Sequence, residues 1–134
     1  MNRSEATQFI ETQKNGVMTP LLKDGRPHSA PIVYAASGGT IEISTTWTRI
    51  KTKNLVRAPW ANLCILPENS WYPYITVEGM CELVEDPGGK LNLDLYRRIT
   101  GGDPDDRDDY IEAMARERRL IIRLSTDRIY PLDK

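Results

Sequence analysis

Val17-Met18-Thr19-Pro20-Leu21-Leu22-Lys23-Asp24-Gly25-Arg26-Pro27-His28-Ser29-Ala30-Pro31-Ile32-Val33-Tyr34-Ala35-Ala36, followed by Ser37-Gly38-Gly39 and Thr40-Ile41-Glu42-Ile43-Ser44-Thr45, is the stretch that decides the fold. Asp24-Gly25 suits a hairpin turn that needs positive φ, so the spacing predicts a two-residue turn between Val17–Lys23 and a return strand over Arg26–Ala36. The second glycine-rich turn leads into Thr40–Thr45, which alternates with a period of two. Three consecutive strands with no helix between them read as an antiparallel meander. Pro20 and Pro31 cannot donate to a ladder, which assigns them to edges, bulges or places where the sheet opens.

Upstream, the first ten residues read as a short helix held by Phe9 and Ile10. Downstream, Thr48–Ala58 reads as a second, with Thr46 and Thr48 as capping hydroxyls, Ile50 and Leu55 as its apolar residues and Pro59 as its stop. Ala61–Leu66 is a compact apolar strand. Tyr72–Val84 is a long alternating one, with Ile75, Val77, Cys81 and Leu83 facing away from Tyr74, Thr76, Glu78 and Glu82, and Gly79 marking a bulge or bend. Leu91, Leu95 and Ile99 recur at helical spacing, and Gly101-Gly102 ends that helix. Asp103 then caps another, with Pro104 first and Tyr110, Ile111 and Met114 as its stripe. Its acidic start and Arg116, Arg118 and Arg119 at its end complement the helix dipole, by ~0.3–1 kcal/mol each when exposed. Leu120–Leu124 and a short extended Arg128–Tyr130 close the chain. Six or seven strands with late helices make the fold mainly β, an antiparallel β-barrel with helices on its rim.

A length of 134 residues fits one domain, spanning 1–134. No segment approaches the ~20 apolar residues of a membrane helix, and the polar start lacks a signal-peptide core, so the expected location is cytoplasmic. A formal net charge of −1 exerts no general pull on nucleic acid or anionic membrane, so any anion binding has to come from local clustering. Cys64 and Cys81 lie within apolar runs, a setting for buried reduced thiols.

The single histidine, His28, and the lack of Cys-x-x-Cys argue against a metal site. Gly-x-Ser-x-Gly, Walker and Gly-x-Gly-x-x-Gly patterns are also missing, which removes the commonest hydrolase, nucleotidase and Rossmann signals. His28 reads as a solvated strand residue. An enzyme this poor in reactive side chains needs a cofactor to carry its chemistry. The segment Ser44-Thr45-Thr46-Trp47-Thr48-Arg49-Ile50-Lys51-Thr52-Lys53-Asn54 places hydroxyls, a helix start and alternating cations at a strand end, all groups that stabilise a phosphate. Spacing alone leaves two readings standing: a phosphate grip, or a solvated helix start. Trp71, Tyr72 and Tyr74 fit either stacking on a planar ring or capping a barrel end.

Together, Asp24–Pro31, Arg49-Ile50-Lys51-Thr52-Lys53-Asn54-Leu55 and Val77-Glu78-Gly79 resemble the pyridoxamine-phosphate-oxidase-like split-barrel superfamily. Within it the chain is most similar to the flavin/deazaflavin oxidoreductases that bind the deazaflavin coenzyme F420, and the similarity spans nearly the whole length. The resemblance implies a homodimer of six-stranded split barrels with cofactor sites in grooves across the interface. It implies that Arg49 and Lys51 grip the phosphate with Thr52 beside them, and that Ser44 and Thr45 floor the strand end. Pro31, Ile32 and Val33 would back the ring system, and Tyr72 and Tyr74 would reach it from the partner chain. The implied activity is hydride transfer from reduced F420 to an unsaturated small molecule. FMN-dependent oxidation or reduction, or non-catalytic carriage of a flavin or haem, are the alternatives on the same fold. Pro20 and Pro31 depart from the residues usual in relatives.

Overall fold

A computed structural model describes residues 1–133. Its strands are β1 (Asn15–Pro20), β2 (Ala30–Val33), β3 (Ala35–Ser37), β4 (Thr40–Thr46), β5 (Trp60–Leu66), β6 (Ile75–Glu85), β7 (Arg119–Ser125) and β8 (Ile129–Tyr130), and its helices are α1 (Arg3–Thr12), α2 (Ile50–Arg57), α3 (Lys90–Thr100) and α4 (Arg107–Arg116). All pairings are antiparallel, in the order β2-β1-β5-β6-β7-β4-β3, with β8 on β6. The two ends of that path, β2 and β3, are one run of chain broken only at Tyr34, so the sheet curls round until its last strand continues its first. Counted as one strand, they give the six-stranded split barrel.

The expected meander forms, with its middle strand kinked. The run Arg26–Ala36 divides its hydrogen bonds, Ala30–Val33 pairing with β1 and Ala35–Ser37 with β4. The backbone N–H of Tyr34 turns to the Lys14 carbonyl at 2.8 Å, and its buried hydroxyl donates to the Ile10 carbonyl at 2.6 Å, tying α1 to the kink. Asp24-Gly25 does form the hairpin tip, but in a three-residue loop. Leu22 N–H bonds the Arg26 carbonyl, Gly25 N–H bonds the Leu22 carbonyl, and Gly25 takes φ 88°, the left-handed position such a loop requires.

The barrel interior is apolar: Met18, Tyr34, Ile41, Ile43, Leu63, Ile65, Ile75, Val77, Ile122 and Leu124 are buried, joined by Ala6 and Ile10 from α1 and Leu55 from α2. Along β6, burial alternates as the period-two pattern requires. Its register with β5 runs unbroken through Gly79, so there is no bulge. Instead the strand changes partners just beyond, from β5 at Met80 to β7 at Cys81. In β7, Leu120, Ile121 and Ile122 are all buried because α3 covers its outer face.

Several expected boundaries shift. Tyr72 and Tyr74 precede β6 rather than belonging to it. The buried face of α3 is Asn92, Leu93 and Leu95, not Leu91 and Ile99, because Asn92 is drawn inward by polar partners. Asp106, accepting from Asp109 N–H at 3.0 Å, caps α4 in place of Asp103, whose carboxylate pairs with Arg97. The α4 stripe is only half-buried. Cys81 is buried, and its thiol is pushed up to about 11 by burial. Cys64 faces outward and is half-buried, since its strand alternates and Leu63 and Ile65 take the inner face.

Candidate functional site

The segment that links β4 to α2 brings cations to a strand end. Arg49 is the N-cap of α2 and Lys51 lies in its first turn, where backbone N–H groups have no partner within the helix. The expected threonine cap does not form. Thr46 and Thr48 hydroxyls lie 3.0 Å from each other instead. Thr45 and Thr52, both buried, share a hydroxyl contact of 2.9 Å that pins the helix start to the strand end.

A cleft of about 480 Å³ opens here, lined by Asn15, Gly16, Pro31, Ile32, Val33, Ser44, Thr45, Arg49, Lys51 and Arg119. It joins Arg49, Lys51, Ser44, Thr45, Pro31, Ile32 and Val33 in one place, though they come from three separate stretches of sequence. Thr52 stands behind Thr45 rather than on the wall. Tyr72 and Tyr74 lie outside, exposed and packed edge to face with ring centroids 6.3 Å apart. A second cleft of about 430 Å³ shares Asn15, Gly16 and Pro31 with the first and continues over Val17, Leu66 and the 67–71 loop to Trp71. The two form a trough that is cationic at one end and apolar at the other. Gly16 is required in its floor, because a Cβ there would lie 2.8 Å from the Cys64 carbonyl oxygen.

No carboxylate lines the cationic end among the described residues. Burial, and then the charges of Arg49 and Arg119, hold the Lys51 ammonium below the ordinary lysine value. Like charges gathered on a wall that carries no carboxylate, with Glu117 reaching only Nη2 of Arg119 at 3.5 Å, fit an anionic ligand. The apolar continuation has the size and lining of a site for a planar organic ring. The residues therefore fit a phosphorylated, flavin-type group.

Two features of the cleft are not visible as local motifs. Arg119 was expected near the end of a helix, complementing its dipole. However, α4 stops at Arg116, Arg118 takes a left-handed φ of 54°, and the reversal delivers Arg119 to the first position of β7, opposite Thr46. The other feature is a relay under Ser44. Asp86, nearly buried, accepts from Leu91 N–H at 3.1 Å and from both Asn92 N–H and Asn92 Nδ2 at 2.8 Å. With that amide nitrogen committed to Asp86, Asn92 turns Oδ1 outward, and the Ser44 hydroxyl donates to it at 2.5 Å. Only separations of 48 and 6 residues connect these partners in sequence. Among the described residues no cluster of histidine, cysteine and acidic side chains has the makings of a metal site, and no helix is long and apolar enough to cross a membrane.

The fold has counterparts among solved structures. A conserved hypothetical protein of Mycobacterium tuberculosis superposes with a TM-score of 0.78 at 24% identity, over 96% of this chain and 82% of that one. An F420 reductase gives 0.72 at 24%, over 92% and 94%. A FAD-binding protein of Mesorhizobium loti gives 0.71 at 18%, over 96% and 92%. At these identities the likeness is one of fold. The sequence model for pyridoxamine 5'-phosphate oxidase matches residues 3–132, nearly the whole chain, and so this protein belongs to the pyridoxamine 5'-phosphate oxidase family of split barrels.

Proposed function

We propose that the protein is an oxidoreductase that binds coenzyme F420 and passes a hydride from its reduced form to an unsaturated small molecule. The observation that carries this reading is the trough itself, with unbalanced cations at one end and an apolar wall of Pro31, Val17 and Trp71 at the other. The deazaflavin supplies the hydride chemistry when bound. Arg49 and Lys51 hold the phosphate, Arg49 through its planar fork and Lys51 as a point charge. Thr45 and Thr52 keep the strand end and helix start in register, and β2 excludes water from one face of the ring.

We further propose a homodimer. Val33, Trp71, Tyr72 and Tyr74 form an exposed apolar border along the trough, which a second copy would cover. FMN is the second reading, favoured by the family match. Titration of the purified protein with reduced F420 and with FMN tests both readings. Micromolar binding of F420 with turnover supports the first, a yellow FMN complex the second, and tight binding without turnover across a panel of acceptors a carrier. Binding of neither rejects the proposal. An Arg49→Ala, Lys51→Ala double variant should lose more than the ~1 kcal/mol of an exposed ion pair in cofactor affinity.

A further inference from the structure

Arg119 is the one cation of the cleft that comes from far along the chain, and its guanidinium is underused. Among the described residues Nε is buried without a hydrogen-bond partner. The group's other contact is a long one, 3.5 Å from Nη2 to Oε1 of Glu117. A buried donor left unpaired is costly, and native sites that keep one generally pair it with a ligand or an ordered water. Here the unpaired N–H belongs to a residue that lines the same cleft as Arg49 and Lys51.

We infer that Arg119 completes a three-cation clamp with Arg49 and Lys51, and that the clamp holds the phosphoryl group of the ligand. Burial first, then the nearby charges of Arg49 and Arg119, depress the Lys51 ammonium, in keeping with three cations gathered on one wall. Glu117, exposed and in contact with Nη2, competes for the same guanidinium and releases it when the anion arrives. Two elements then meet on one group: α2, through its cap and first turn, and the start of β7. The clamp deepens the proposed function, and it rests on that reading only for the identity of the organic part of the ligand.

The test is calorimetric titration of the full chain and its Arg119→Ala, Arg119→Lys and Glu117→Gln variants with FMN and F420, each against its phosphate-free ring and ribityl core, and with inorganic pyrophosphate. Arg119→Ala should weaken the phosphorylated ligand by about tenfold or more, the scale of a lost charge-assisted hydrogen bond, and leave the phosphate-free core unchanged. Arg119→Lys should recover part of the loss, and Glu117→Gln should bind more tightly than the parent. If Arg119→Ala keeps parental affinity, or loses both forms equally, the clamp is refuted. Pyrophosphate separates this inference from the reading it deepens. Pyrophosphate bound by the parent and lost in Arg119→Ala upholds the clamp even where no flavin binds, and only the proposed function then falls. A parent that binds neither flavin nor pyrophosphate overturns the clamp. Circular dichroism verifies that each variant is folded, and Glu117→Gln, at an exposed position, tests the competition should Arg119→Ala fail to fold.

Discussion

Replacing Asp86 by alanine should destabilise the fold by about 3 kcal/mol, because one carboxylate performs two tasks. Gly89 stands at the N-cap of α3 with φ 70° and offers no side chain, and a Cβ there would come within 2.8 Å of the Ile111 carbonyl oxygen. The cap therefore comes from Asp86, three residues earlier, through the Leu91 and Asn92 amides. Loss of a side-chain cap costs about 1 kcal/mol. The second task is to hold Asn92, which is 1% exposed, so its Nδ2 would be stranded without water. An unsatisfied buried donor adds roughly 1–3 kcal/mol, with the charge-assisted partner placing it toward the upper part of that range. In a chain of 134 residues the total corresponds to a fall in Tm of about 10 °C. Asp86→Asn keeps an acceptor for Asn92 but turns its NH2 toward the Leu91 N–H, so it should lose an intermediate amount, about 2 kcal/mol. Urea melts of the parent and both variants measure the differences. A loss below about 1 kcal/mol for Asp86→Ala would refute the dual role, as would Asp86→Asn falling as far as Asp86→Ala.

Three further outcomes are expected. Lys51 has a folded-state pKa below its ordinary 10.5, so the unfolded chain binds more protons in the window between the two values and stability should rise with pH there; the parent measured against Lys51→Met should show that rise, and a flat difference counts against it. Burial pushes the Glu42 carboxyl up, but the hydrogen bonds from Arg98 and Arg123 outweigh it and hold the group below its ordinary 4.5. Its contribution is thus complete above pH 4.5 and fades as pH falls through the folded value, so Glu42→Gln should be less stable than the parent at neutral pH and should lose less on acidification to pH 3. Arg118→Gly should stabilise the protein by about 0.5–1 kcal/mol, since the residue sits at φ 54° and glycine adopts that conformation without the Cβ penalty; a destabilised variant would mean that the Arg118 side chain makes up for its backbone.

Much of the fold was legible because its signals are local. The Asp24-Gly25 turn, the alternation along β4 and β6, the apolar run of β5 and the glycine stop of α3 all depend on neighbours within a few residues, and each element formed where those signals lay. Boundaries moved where a distant partner competed. Asn92 turned inward for Asp86 and Ser44, and Asp106 took the α4 cap because Asp103 was engaged by Arg97. The cations Arg49 and Lys51 could be read as a phosphate grip or as a solvated helix start, and resemblance to a family favoured the first.

By itself, then, the chain's order of residues determined which stretches become strands and which helices, which side of most strands is apolar, and that positive charge gathers at the end of β4. Tertiary structure alone decided that Arg26–Ala36 would divide between two partners and close the sheet. It also decided that Arg119 would face Arg49 and Lys51, and that Asp86 would reach Ser44 through Asn92. Periodicity reports the environment of a residue relative to its near neighbours. Which remote residues share a cleft depends on how the sheet curls, and that follows from the packing of the whole barrel.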